Sequence, residues 1–466
     1  MLQDILTPKK SLFLAGAHTE LRAQTTRQRG VTLLNGNLVN NTRTDTSGIS
    51  CRVYKNGTCG FSSIAEFSED AVGHVLKAAS DNAAFMDSHA GRGKALYPAI
   101  SNDILNGAQI PAPAEIKNAD QKIYIEYAKE LDAYIAKNCP KLVSRTIACR
   151  EDSQEKITCV IDGADNHLTI PRSYVYVIMA ANTKDAKPVE LFESFGGEGV
   201  FEDNFTNPKE LFPKVDTLYA QIMEKAEGIY ADAGLKTVIL DGMMSGMLAH
   251  EAVGHTCEAD LVLGGSVAGP SLNKQVASEL VSLTDFAYEA FGERAPLPVY
   301  VDDEGTPAVD AHIIENGILK GYMNNRELAE HFREAPTGNA RAWLFSDEPL
   351  IRMRNTAVHP GKDKIEDMIA SIDDGYYLIK SGNGQADLTG EFMFGVTLGY
   401  EIKNGKIGRA LLDTTVSGVA FEMLKTVDMV SDSLVWVSSG FCGKKQPMPV
   451  GMGGPALRCK LTIGGR

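Results

Sequence analysis

Three residues stand close enough in the chain to hold one metal ion and a reacting water. His250, Glu251 and His255 form an HExxxH motif within GMMSGMLAHEAVGHTCEAD, residues 242–260. In the commoner HExxH spacing the two imidazoles lie about 40° apart around a helix, so both reach one Zn²⁺ while the glutamate polarises its water. Here the histidines are five residues apart, which in a regular helix separates them by about 140°. Metal binding therefore requires the helix to end or bulge between them. Gly254 is where that is expected, because glycine accepts the positive φ common just past a helix end. The expected geometry puts His250 and Glu251 on the last helical turns and His255 just beyond.

A catalytic metal site needs a third protein ligand and one open position. Cys257, Glu258 and Asp260 are near in sequence. Cys442, between Gly440 and Gly443 in SGFCGKKQPMPVGMGGPAL, is the distant candidate. A ligand on a remote strand would tie the metal to a rigid sheet, whereas Cys257 would not. The residues alone leave this choice open. Arg352, Arg354 and Asn355 are candidate donors to a developing oxyanion, with strand packing as the plainer role. Glu258 and Asp260 are also candidate acceptors for a histidine N–H. Asp302, Asp303 and Glu304 read as a solvated approach to a hairpin. The other seven histidines are scattered singly, and Trp343 and Trp436 read as core.

The elements that must position these residues have an α+β pattern. Asn-Gly pairs at 35–36, 56–57, 316–317 and 404–405 each lie between β-like segments. Asn-Gly supplies the positive φ of a type I′ hairpin, so antiparallel sheets are expected in both halves. Helices are expected at about 69–80, 120–137 and 208–232, the last with Asn207 as N-cap, Pro208 in the first turn and Gly234 closing it. KTVILDG then reads as a buried strand, and glycine and β-compatible segments dominate from there on. The expected division is 1–233, an N-terminal α+β domain, and 234–466, a C-terminal β-rich domain; the polar loop 183–190 is the alternative boundary. Overall, two domains of mainly antiparallel sheets with a few long helices are expected.

Composition bounds the function. The chain has 466 residues with 44% apolar and 23% charged side chains, which excludes disordered and fibrous classes. A net charge of −14 opposes association with phosphate backbones and anionic membranes, so no direct nucleic-acid partner is expected. Eight cysteines without CxxC pairing do not form a disulfide framework. The KKSLFLAGAH segment imitates a leader cleavage region, but its apolar core is too short. No window has the roughly 18–20 apolar residues of a membrane span. A cytoplasmic protein with no membrane association is expected.

The order of several blocks resembles the TldD/PmbA metallopeptidase family, also called modulators of DNA gyrase, and its TldD side in particular. The blocks are GISCRVYKNGTCGFSS (48–63), HEAVGH (250–255), VDDEGTP (301–307), IIENGILKGYM (313–323), IRMRNT (351–356), GNGQADLTGEFMF (382–394) and the FCGK…PVGMGGPAL segment. Asn383 stands where the resemblance leads one to expect glycine, and the segment before the first strand is short. The resemblance implies one Zn²⁺ per catalytic subunit, held by His250, His255 and Cys442, with Glu251 as general base. It implies peptide or unfolded-protein substrates. It also implies pairing with a TldE/PmbA-like subunit as a heterodimer, the homodimer being the other arrangement. The alternative from a different class is a non-catalytic peptide-binding or regulatory subunit with a structural metal, in which Glu251 between the ligands would have no use.

Overall fold

The computed structural model describes residues 6–90, 97–101, 104–105, 109–114, 120–161 and 163–464. The first half is built on one six-stranded antiparallel sheet. Its strands are β1 (His18–Leu34), β2 (Asn37–Lys55), β3 (Thr58–Ile64), β4 (Ser144–Val160), β5 (Asn166–Asn182) and β6 (Pro188–Glu198), in the order β3-β2-β1-β4-β5-β6. Asn35-Gly36 and Asn56-Gly57 turn β1 into β2 and β2 into β3. All four of their φ angles are positive, as are those at Asn316-Gly317 and Asn404-Gly405 in the second half. The polar loop 183–190 falls in the β5–β6 hairpin, inside this sheet.

Alternation along the strands gives the sheet two different faces. Leu21, Ala23, Val31 and Leu33 of β1 point to one side with Ile147 and Cys149 of β4 and Val175 and Val177 of β5, and helices cover them. Helix α1 (Glu69–Ala90) buries Val72, Val75, Leu76, Ala79 and Ala83 against β1–β3, running nearly three turns beyond the expected 69–80. Helix α2 (Gln121–Asn138), capped by the Asp120 side chain on Lys122 N–H, buries Tyr124, Tyr127, Leu131 and Ile135. It packs with α3 (Phe212–Ala226), which contributes Val215, Leu218 and Ile222.

The helix expected over 208–232 is shorter and of two kinds. Asn207 caps Lys209 N–H as expected, but Pro208–Leu211 is a 3-10 turn that leads into α3. A second proline, Pro213, sits in the first turn of α3, where its missing N–H is harmless. The helix stops at Ala226 because the chain turns to bond Leu411: Ile229 N–H donates to Ala410 O, and Leu412 N–H donates to Ile229 O. Gly234, at φ 115, opens the following strand instead of closing the helix.

That strand, β7 (Gly234–Leu240), buries Val238, Ile239 and Leu240. It pairs antiparallel with Leu457–Ile463 and parallel with Asp374–Ala386. Asp374–Ala386 also pairs with Glu391–Lys403, which reaches Leu457–Ile463 through Thr414–Val419, so the sheet closes on itself. A second C-terminal sheet contains Leu283–Phe286, Asn355–Val358, Met448–Gly454 and Val435–Cys442 as consecutive neighbours. The antiparallel expectation holds for most pairs. Among the described strands two pairs are parallel: β7 with Asp374–Ala386, and Asn355–Ala357 with Gly451–Gly453. No described helix is long and apolar enough to cross a membrane.

The other face of the first sheet is polar and meets the C-terminal half. Arg22 Nη2 donates to the Leu344 and Asp347 carbonyls, and Gln24 and Gln154 both donate to Trp343 O at 2.6 Å. Arg52 pairs with Glu20 and Glu304, and Lys156 pairs with Asp303 at 2.8 Å. The acidic run 302–304 is therefore not a solvated hairpin approach. All three residues are buried, and Asp302 accepts from the backbone N–H groups of Glu304, Thr306 and Ala340.

Candidate metal centre

The end of β7 sets the position of the HExxxH segment. Asp241 accepts from Gly242 N–H and starts α4 (Gly242–Met247), which lies on Met448–Gly454. Glycines on both sides permit the contact: a Cβ on Gly246 would stand 2.9 Å from the Gly453 nitrogen. The hairpin partner of Met448–Gly454 ends at Cys442, opposite Met448. The glycine-rich C-terminal block thus brings the helix and the cysteine to the same place.

The bulge that the histidine spacing requires is present as a change of helix type. Residues Leu248–Gly254 form a π-helical turn, followed by a 3-10 turn at His255–Cys257. His255 N–H donates to His250 O, the i→i+5 bond that stacks residue i+5 over residue i. Gly254 does not take a positive φ; it is right-handed at φ −56. It is needed for space, since a Cβ there would lie 2.2 Å from Met353 Sδ.

His250, His255 and Cys442 converge, with their ligating atoms all within 4.8 Å of one another. Cys442 Sγ is 3.3 Å from His255 Nε2. Glu251 Oε2 lies 3.7 Å from the same nitrogen. Glu258, fully buried, accepts from His255 Nδ1 at 2.9 Å and fixes which ring nitrogen faces Cys442. Lys444 Nζ bridges Glu258, at 3.3 Å, and Asp260. Burial would push the Cys442 thiol up, but His250 and His255 override it and hold it at about 3. His255 is correspondingly raised to about 10, with burial opposing and Cys442 and Glu258 prevailing.

The remaining candidates fall elsewhere. Cys257 is buried outside the cluster, beside Thr256, and burial pushes its thiol up to about 12. Arg352, Arg354 and Asn355 are fully buried with their donors directed at the chain, so they are not oxyanion donors. Arg352 donates to the carbonyls of Cys442, Lys444 and Gln446 and grips the cysteine loop. Arg354 pairs with Asp285, and Asn355 donates to Phe286 and Leu297 carbonyls. Lys444 and the Arg352 clamp were not singled out from sequence; the lysine next to the Cys442-Gly443 pair was the available signal. Glu251 and His255 open onto a groove walled by residues 384–388 and Gly443-Lys444. Asn383 lies at a bulge of the same wall.

The turns after β7 and the last strand residue of the second sheet thus bring together a His/His/Cys cluster, with a glutamate beside it on an open groove. The sequence profile of the PmbA/TldA metallopeptidase C-terminal domain matches residues 233–465, and that of domain 1 of the same family matches residues 19–83. The chain belongs to the PmbA/TldD metallopeptidase family. It is 36% identical over 250 residues to a protein of Saccharolobus solfataricus named zinc metalloprotease TldD homolog, covering 53% of this chain and 56% of that protein's own length. It is 30% identical over 465 residues to a metalloprotease of Methanocaldococcus jannaschii, covering 97% of this chain and 98% of that one. Among solved structures, a modulator of DNA gyrase from Thermotoga maritima shares the fold with a TM-score of 0.76 at 19% identity, covering 99% of both chains. TldE from Thermococcus kodakarensis does so with a TM-score of 0.72 at 15% identity over the full length of both.

Proposed function

We propose that this chain is the catalytic, TldD-type subunit of a zinc-dependent peptidase that cleaves short or unfolded peptides in the cytoplasm. The observation that carries the reading is the convergence of His250, His255 and Cys442 beside Glu251, at the floor of an open groove. The donor set suits zinc: tetrahedral Zn²⁺ holds N and S donors about 3.3–3.6 Å apart, and the 3.3 Å between Cys442 Sγ and His255 Nε2 lies in that range. Both ring nitrogens of buried His250 lack a hydrogen-bond partner among the described residues, as a histidine awaiting a metal would. Zinc bound there supplies a Lewis acid for the scissile carbonyl.

In this reading Glu251 takes a proton from the attacking water on its carboxylate and returns it to the leaving amine nitrogen. Glu258 holds His255 with Nε2 towards Cys442, and Arg352 holds the loop that carries Cys442. Residues 384–388 orient the peptide along the groove. The catalytic unit is the part of the chain from residue 234 on, with residues 1–233 as a separate domain docked through its polar sheet face. The partner is a TldE/PmbA-like subunit, supported by the fold shared with TldE, or a second copy of this chain.

The test is hydrolysis of an unstructured peptide by the zinc-loaded chain, alone and with a TldE/PmbA-like subunit. Glu251→Gln is expected to retain zinc and lose about 10²–10⁴-fold in rate. Full activity in that variant with zinc in place would leave a structural metal as the better reading.

A further inference from the structure

A cleft lies between the polar face of the first sheet and the C-terminal half. It shares no residue with the groove at Glu251. Its walls are largely apolar: Leu168 and Ile170 of β5 on one side, and Leu297, Val299 and Val301 on the other. Four cations line it. Lys156 is matched by Asp303 at 2.8 Å, Arg172 by Asp152 at 2.7 Å, and Arg294 by Glu198.

Arg341 is not matched. Its one hydrogen bond runs from Nη1 to Met353 O, and it pairs with no carboxylate among the described residues. Arg172, almost fully buried, also keeps Nη1 without a partner. Asp302, on the same wall, has its carboxylate taken up by the backbone N–H groups of Glu304, Thr306 and Ala340. Burial, then Arg352, push the pKa of Arg341 down, and Asp285 and Asp303, which oppose them, form no ion pair with it among the described residues. A guanidinium in a low-dielectric cleft is costly until an anion reaches it, and its planar fork suits a carboxylate. Apolar walls with a few polar groups, at the meeting of two domains, are the usual make-up of a small-molecule pocket.

We infer that this cleft is a second binding site, for a small carboxylate with an apolar body. Its carboxylate pairs with Arg341 while the apolar part lies against Leu168, Ile170 and Val299. An N-acylated apolar amino acid or the C-terminal residue of a short peptide has this chemistry.

The probes are N-acetyl-leucine, N-acetyl-leucinamide and inorganic phosphate, titrated calorimetrically into the full chain. N-acetyl-leucine is expected to bind saturably at one site per chain, with the amide and phosphate at least tenfold weaker. Arg341→Gln is expected to weaken binding at least tenfold, and Val299→Trp, which fills the cleft, to abolish it. Cys442→Ser is expected to leave it within twofold. The inference is overturned if N-acetyl-leucine shows no saturable binding, or if the amide or phosphate binds as well. Binding unchanged in folded Val299→Trp overturns it too, and loss of binding in Cys442→Ser would move the ligand to the Glu251 groove.

Discussion

Gly254→Ala separates a π-turn held by packing from an ordinary helical turn. At a plain interior helix position the exchange stabilises by about 1 kcal/mol, because alanine loses less backbone freedom than glycine. Here the added Cβ meets Met353 Sδ at 2.2 Å and Ala249 O at 3.1 Å. The sulfur must move, and Met353 is fully buried, so the methyl is an overpacking change of about 1–3 kcal/mol. Against the propensity gain of about 1 kcal/mol the net expectation is a destabilisation of up to about 2 kcal/mol, read as a lower urea midpoint. Met353→Ala makes room for the new methyl, so the double variant should lie at least about 1 kcal/mol above the sum of the single effects. A Gly254→Ala protein that is as stable as wild type or more so, with no coupling to Met353, would refute the packing argument.

Glu258→Gln keeps the shape of the side chain but removes the charge that bridges His255 and Lys444; zinc affinity in chelator competition is expected to fall about 10–100-fold, and a change under twofold would contradict the role given to it. Arg352→Lys replaces a fork that reaches three loop carbonyls with a single ammonium; a loss of about 1–3 kcal/mol in chemical denaturation is expected, with no loss counting against the clamp. Glu20 is buried among His18, Arg52 and, across Arg52, Glu304; burial raises its pKa, but Arg52 and His18 prevail and hold it at about 2. A folded pKa below the unfolded value of about 4.3 gives stability that is complete above about pH 4.5 and lost as pH falls towards 2, a contribution of about 3 kcal/mol. Urea midpoints measured from pH 5 down to pH 3 should therefore fall less steeply in Glu20→Gln than in wild type, and equal slopes would remove Glu20 from the account.

What could be read from the sequence was what local chemistry determines. The Asn-Gly pairs announced four hairpins because two positive φ angles suffice to specify a type I′ turn. The five-residue histidine spacing demanded a bulge, and a π-turn provides it. Where the reading failed, the cause was a distant partner. Gly254 reads as a positive-φ position because nothing nearby in sequence foretells the Met353 sulfur against it. Ile229 continued the helical period, yet its backbone bonds to residues 410–412, so the helix ends at Ala226. The run 302–304 looked solvated because its partners, Arg52 and Lys156, are about 150–250 residues away in sequence. Arg352 and Arg354 give no local sign that their guanidinium groups bond backbone carbonyls of distant loops. Parallel pairings, which no tight turn encodes, were likewise illegible.

Zinc-edge X-ray absorption on the metal-loaded chain, beside its Cys442→Ser variant, bears most directly on the candidate site. One zinc per chain is expected, with a single sulfur at about 2.3 Å and nitrogen or oxygen neighbours at about 2.0–2.1 Å, and no sulfur in the variant. A chain that takes up no stoichiometric metal, or a sulfur neighbour that survives Cys442→Ser, would contradict the assignment of His250, His255 and Cys442 as the metal ligands.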